Sequence, residues 1–324
     1  AQHARGLRML GCGVAAVRVV PRGHVDSLGC KAFVLVIMAS KSVSKPNSGL
    51  VKVYLVCFNL FSFVAWLRVF AGILLYMVNG SGARPMLNHS LTNLVQSRLP
   101  MPAPAQFPDY TGHSEFISEM LYRASTLYNY IGPLVIVVQS LAILEFVHAL
   151  FGLVKSSLFV VLVQVCSRLL LVWFTVPLYQ ASQQTPFFAV MVFAWSLSEI
   201  IRYPFYVNQL LDSLSFPVLW ARYSFFTVLY PLGVLSEMQL IWASLPKGVA
   251  WPWVDLAGWS VRDLFFLALL PLYVPGLFFL YSGLLKSRRK VLGNDFIGSK
   301  GLAAVRENRQ KRLAHLRQLA QKAR

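Results

Sequence analysis

Six stretches of this chain are long and apolar enough to cross a bilayer, at about 20 residues per span, and all but the last carry a charged side chain inside the span; the last has only Asp263, at its first residue. They run over residues 51–79, 130–149, 156–178, 187–210, 218–244 and 263–285. The expected fold is all-α: a polytopic membrane protein built as a six-transmembrane-helix bundle. The charged groups inside the spans must face the bundle interior, a cavity or the headgroups. Composition agrees, since 13% of residues are charged and 56% hydrophobic, against about 25% charged in soluble domains.

The net charge of +18 would suit a nucleic-acid partner if it were spread over a folded face, but it is confined to the ends. Residues 1–52 hold eight Lys/Arg and one acid, and residues 286–324 hold twelve Lys/Arg and two acids. A nearly neutral apolar centre between basic ends reads as a membrane bundle with cytosolic flanks and no nucleic-acid partner. Six is even, so both termini lie on one side, and the Lys/Arg bias makes that side cytosolic. The loops 80–129, 179–186 and 245–262 are balanced or nearly uncharged and would face the lumen. The first of them carries a glycosylation sequon at Asn88, and a second sequon starts at Asn79, close to the membrane.

Three regions follow: a basic leader over 1–50, a membrane domain over 51–285 and a basic cytosolic tail over 286–324. The first 37 residues are Arg-rich and almost free of acids, like a mitochondrial transit peptide. Met38 opens a short leader to the first span, and a start there, with residues 1–37 as an extension, is the favoured reading. The last half of the tail can form an amphipathic helix with Leu313, Leu316 and Leu319 near one face, a basic segment attracted to anionic lipid. Lys322, third from the end, hints at endoplasmic reticulum retrieval, although Gln321 stands where a second lysine would be.

Of the four cysteines, Cys12, Cys30, Cys57 and Cys166, no pair has metal-ligand spacing, so neither a zinc site nor a disulfide framework is expected. Cys12 to Arg18 has the C-x5-R skeleton of a phosphatase loop. No histidine precedes it and no soluble domain surrounds it, so it reads as chance.

The chemistry concentrates in the fifth span, WARYSFFTVLYPLGVLSEMQLIWASL. In a helix, Tyr230 and Glu237 share one face two turns apart, separated by about 10.5 Å of rise. Pro231 removes a backbone donor toward Thr227 and disfavours helical geometry at Tyr230, so a kink is expected there. Gly233 leaves room for another backbone or a ligand. A carboxyl buried at Glu237 must be protonated or paired, and either state serves proton transfer; the structural alternative is a helix–helix hydrogen bond. The fourth span holds Trp195, Glu199, Arg202, Tyr203 and Tyr206, with Glu199 and Arg202 spaced to pair as i,i+3. The third holds Gln164, Ser167 and Arg168, and the second holds Glu145 and His148, also i,i+3. Both i,i+3 pairs have a purely structural reading as well. Arg68 and Arg222 are expected to snorkel.

The motifs YPLGVLSE, WSLSEIIRYPFY, QVCSR and LEFVHALFGLVKS, which lie on the second to fifth of the six spans, resemble the 3-hydroxyacyl-CoA dehydratase family, once called protein tyrosine phosphatase-like. The resemblance covers residues 50–285. It implies an endoplasmic reticulum enzyme, a lyase that dehydrates very-long-chain (3R)-3-hydroxyacyl-CoA in the third step of fatty acid elongation. It also implies Tyr230 and Glu237 as the catalytic pair, in a motif that further includes Pro231, Gly233 and Ser236. Dehydration needs a base at the α carbon, an acid for the departing oxygen and stabilisation of the enolate-like thioester, with no metal or redox cofactor. Glu237 is the expected base and Tyr230 the donor, with the reverse assignment open. Arg168, Glu199, Arg202, Tyr203 and Gly233 are the expected supporting residues. Partners would be the acyl-CoA substrate, membrane lipid and other enzymes of the elongation cycle. The rival readings are a transporter using the buried polar centre and a catalytically silent scaffold. One difficulty is depth: Glu237 lies about 19 residues into the span as drawn, so the site is a cavity or the span starts deeper.

Overall fold

The computed structural model describes residues 49–80, 112, 114–154 and 156–322. The leader with Met38, Cys12 and Cys30, and the Asn88 sequon, lie outside the described residues. Among the described residues there is no strand. The helices are α1 (Gly49–Asn79), α2 (Glu115–Ser140), α3 (Ala142–Leu150), α4 (Leu158–Leu169), α5 (Gln180–Gln183), α6 (Phe187–Leu210), α7 (Phe216–Ser224), α8 (Phe226–Ser244), α9 (Val261–Leu292) and α10 (Ser299–Lys322). A π-helical turn, Leu170–Thr175, continues α4. Six helical segments are long and apolar enough to cross a membrane: α1, α2 with α3, α4 with its π turn, α6, α8 and α9. In hydrocarbon every backbone polar group must be satisfied within the segment, and helices do this. The chain is a multi-pass membrane protein.

The span boundaries differ from the sequence reading in ways that matter. The second span begins at Glu115 rather than 130. Its extra turns carry Arg123, whose Nη1 donates to the carbonyls of Met77 (2.6 Å) and Val78 (2.7 Å) and so caps the C-terminus of α1. The third span is helical only over Leu158–Thr175, and the sixth is longer than drawn, from Val261 to Leu292. The fifth segment is broken at Phe225 into a short α7 and the spanning α8. Glu237 is therefore eleven residues into its span, about 16 Å from its start, which is less deep than the span as drawn from the sequence implied.

The kink expected at Pro231 is not a break. α8 runs without interruption from Phe226 to Ser244, and the interruption falls at Phe225. Pro231 sits in the second turn, so it deletes one intrahelical bond, the one to the Thr227 carbonyl. The Tyr281 hydroxyl of α9 donates to that carbonyl instead, at 3.2 Å.

α6 is the centre of the bundle, packed against α1, α2, α7 and α8. Its neighbour α1 buries Leu55, Asn59, Ser62, Trp66, Val69, Ile73 and Tyr76. That alternation of four and three residues is the seam of a left-handed helix pair. With Leu127, Ile131 and Val135 of α2, Met191, Val192 and Trp195 of α6, and Leu240 and Ile241 of α8, the seam makes one continuous core. Large apolar residues elsewhere, such as Phe61 of α1 and Phe278 of α9, are exposed and face the lipid. α9 is the most peripheral span; Asp263, Phe266 and Leu292 are its only buried residues.

Candidate active site

One stripe of α6 organises the polar centre. Trp195, Glu199, Arg202 and Tyr203 are spaced by four, three and one, which places them on one helix face. Glu199 is 1% exposed and is gripped from two sides. Arg168 of α4 brings Nη1 to 2.5 Å from Oε1, and Arg202 brings Nε to 2.6 Å from Oε2. The Arg202 contact is an ion pair rather than an aligned hydrogen bond. At its other end Arg202 Nη2 donates to Glu145 of α3 (2.6 Å), and the Tyr203 hydroxyl donates to the same carboxylate oxygen (2.5 Å). Two arginines and two glutamates form a neutral, interlocked network, the form in which buried charges are tolerated.

The i,i+3 pair expected between Glu145 and His148 is not made. Glu145 turns to Arg202 and Tyr203. His148 turns the other way, to the Tyr54 hydroxyl of α1 at 2.9 Å, with the rings of Tyr54 and Phe58 edge-on to it. Helix spacing permits a pair; the neighbours on adjacent helices decide whether it forms.

The second carboxylate, Glu237, has a different environment. Trp195 Nε1 donates to its Oε1 at 2.9 Å, and the Tyr273 hydroxyl of α9 donates to its Oε2 at 3.3 Å. Both donors are neutral. Arg168 lies over the Trp195 ring, 4.8 Å from its centroid, so the cation is one ring away from the carboxylate. Tyr230 lies two turns earlier on the same helix, partly exposed, with its ring 6.5 Å from that of Tyr281 and nearly parallel to it. Its hydroxyl makes no hydrogen bond among the described residues. The charges of Glu237 and Arg168 both act on it. The structure therefore brings Tyr230, Glu237 and Arg168 to one locus, with Glu199, Arg202 and Tyr203 behind them.

Gly233 is buried against α6, but a Cβ built on it would meet Trp195 Cδ1 at 3.9 Å and Ala194 Cβ at 4.0 Å. These are ordinary contacts. Of the two uses expected for this space, another backbone or a ligand, no neighbouring backbone takes it up, and the nearest neighbour is the indole that holds Glu237.

Tyr273 was not among the sequence candidates. The sixth span looks like a plain lipid-facing helix, and a tyrosine between Pro271 and Pro275 has no charge to mark it. A phenol in a largely apolar span, one of two there with Tyr281, was the available signal. Trp195 was visible in its motif, but its role as donor depends on how α6 and α8 cross.

Comparison with known proteins covers the same part of the chain. The family model for "Protein tyrosine phosphatase-like protein, PTPLA" matches residues 139–294, which hold every site residue named above. A protein of Schizosaccharomyces pombe, "Probable very-long-chain (3R)-3-hydroxyacyl-CoA dehydratase", is 40% identical over 48% of this chain and 71% of its own length. "Very-long-chain (3R)-3-hydroxyacyl-CoA dehydratase 1" of Canis lupus familiaris is 37% identical over 50% of this chain and 68% of its own length. The enzyme named dehydratase 2 in Mus musculus is 35% identical over 48% and 64%, respectively. No solved structure matches significantly. With these relatives on one side and the six-span bundle on the other, the chain belongs to the protein tyrosine phosphatase-like family of very-long-chain (3R)-3-hydroxyacyl-CoA dehydratases.

Proposed function

We propose that this chain dehydrates very-long-chain (3R)-3-hydroxyacyl-CoA to the trans-2-enoyl-CoA, as a hydro-lyase of fatty acid elongation, with Tyr230 and Glu237 as its catalytic pair. The observation that carries the site assignment is the setting of Glu237. It is a buried carboxylate held by neutral donors alone, in a helix that also presents a phenol without a hydrogen-bond partner among the described residues.

Glu237 takes the proton from the α carbon, and Tyr230 gives its hydroxyl proton to the oxygen leaving C3. The Cα electron pair becomes the new double bond as the C3–O bond breaks, and water departs. Transfer of the proton from Glu237 to the Tyr230 phenolate, directly or through solvent, restores both groups. Trp195 and Tyr273 orient the Glu237 carboxylate, each occupying one lone pair per oxygen and leaving others free. Arg168 supplies positive charge beside developing negative charge at the thioester oxygen. The rival readings, transporter and scaffold, have no observation in their favour.

The domain plan of leader, membrane domain and tail, the endoplasmic reticulum location and the cytosolic placement of both termini belong to the same proposal. They are supported by the basic flanks around a neutral centre. On this placement Tyr230 lies on the cytosolic side of Glu237, where CoA would enter, while the acyl chain stays in an apolar setting. Enzymes acting before and after it in elongation, and membrane lipid, are the expected partners.

The test is conversion of a long-chain 3-hydroxyacyl-CoA by the purified protein beside its Tyr230→Phe and Glu237→Gln variants. Turnover in the parent, lost in both folded variants, is expected. Turnover that survives either substitution would move the site elsewhere, and an inactive, folded parent would sink the function.

A further inference from the structure

The tail helix α10 does not leave the bundle. It starts seven residues after α9 ends, and its N-terminus is capped by Asp295, whose Oδ2 accepts from the Ser299 N–H at 2.8 Å. The turn before it is tied down by Trp220 and Arg288, which both donate to the Phe296 carbonyl, at 3.1 and 3.2 Å. Its first turns are seated tightly: a Cβ on Gly301 would fall 2.7 Å from Leu292 Cδ2 and 3.5 Å from Leu219 Cδ2, and Val305 packs on the same cluster. Eleven residues after Gly301, about 16 Å along the axis, Arg312 Nη1 still reaches the bundle and donates to the Asp212 carbonyl at 3.2 Å. The helix lies across one end of the bundle and does not project away from it.

Its sequence suits a second surface. At 100° per residue, Leu302, Val305, Leu313, Leu316 and Leu319 fall within an arc of about 120°. Arg312 falls in the same arc, so the face that meets Asp212 is the face that carries the leucines. Leu313, Leu316 and Leu319 nevertheless remain about half exposed, at 46%, 51% and 49%. The bundle stops short of them, and the plane beside its rim is where bilayer begins. Residues 299–322 carry seven Lys/Arg against the single acid Glu307, and Glu307 is paired with Lys311 at 2.6 Å. A half-exposed leucine stripe on the face that meets the bundle, bordered by arginines, has the chemistry of an interfacial helix on anionic lipid.

We propose that α10 is a membrane-surface anchor: its leucines insert beside the bundle and its cations bind anionic lipid headgroups on that face. The proposal rests on the membrane-spanning fold and not on the dehydratase reading, so each can fail alone. The orientation of the leucine stripe favours lipid over RNA, because a nucleic-acid face would present its cations away from the membrane.

The test is amide hydrogen exchange of residues 306–321 in the full-length protein. It is placed in nanodiscs of phosphatidylcholine alone or of phosphatidylcholine with phosphatidylserine. The expected result is exchange slower by on the order of tenfold or more with phosphatidylserine, with the protection reduced by high salt. The triple substitution Leu313→Ser, Leu316→Ser, Leu319→Ser should abolish the difference while leaving turnover in detergent unchanged. Equal exchange in the two lipids would overturn the proposal. So would protection that follows added RNA or a protein in place of the lipid.

Discussion

The bundle buries two glutamates of very different temper. Glu199 is clamped by two guanidinium groups and shares one of them, Arg202, with a third carboxylate, Glu145. Glu237 is met by an indole and a phenol. Both lie along one polar column centred on α6, and Trp195 and Glu199 are one helical turn apart. A carboxylate between two arginines is fixed in its charged state by its neighbours. One held by neutral donors can gain or lose a proton without leaving an arginine unpaired. The difference separates a group that organises the bundle from one able to do proton chemistry, and it does so by the character of the donor rather than by depth.

That contrast can be broken at several points. The largest effect is expected at the reactive carboxylate: Glu237→Gln should lower turnover by about 10²–10⁴-fold, with thermal unfolding in detergent unchanged. Tyr230→Phe should do the same, since its hydroxyl supports nothing else among the described residues. Glu199→Gln should invert the pattern. It leaves Arg168 and Arg202 without their shared anion, which costs about 3–5 kcal/mol, and it should show as a marked fall in the detergent unfolding temperature. An unchanged unfolding temperature would mean that the arginines find other partners and that the clamp is dispensable.

Smaller changes sharpen the comparison. Trp195→Phe removes a hydrogen bond to a carboxylate, worth about 1.5–3 kcal/mol, so kcat should fall about 10- to 100-fold with KM little altered. Tyr273→Phe removes the longer bond, 3.3 Å, and should cost about tenfold or less in the same measurement. The smallest effect is expected for Gly233→Ala. The new methyl meets Trp195 at van der Waals distance, so stability should hold within about 1 kcal/mol. Loss of activity there with a stable fold would show that the space beside Trp195 belongs to the substrate.

Much of this was legible in the chain. Six spans, the i,i+3 pairing of Glu199 with Arg202, and Tyr230 with Glu237 on one face follow from hydropathy and helix period. The start of α8 at Phe226 was not, because the residues on both sides of the break are equally apolar and hydropathy cannot see a turn between them. The early start of α2 was hidden by the charges of Glu115, Glu119 and Arg123, which are tolerated at a helix end where they reach solvent or cap α1. The Glu145–His148 pairing went astray because spacing along one helix says nothing of stronger partners on the next. Tyr273 was hidden for a related reason: its importance is a property of where α9 docks, and docking is decided between helices.

The docking of α9 leads back to Pro231. Measured from the Thr227 carbonyl, Glu237 lies ten residues along α8, about 15 Å; measured from Tyr281, Tyr273 lies eight residues along the antiparallel α9, about 12 Å. Side-chain reach covers the remainder. Tyr281 on the freed carbonyl and Tyr273 on the carboxylate are thus two marks on one ruler. The absent N–H of a proline sets its zero, and moving that proline by one position would turn the open carbonyl about 100° around α8 and carry the phenol away from Glu237.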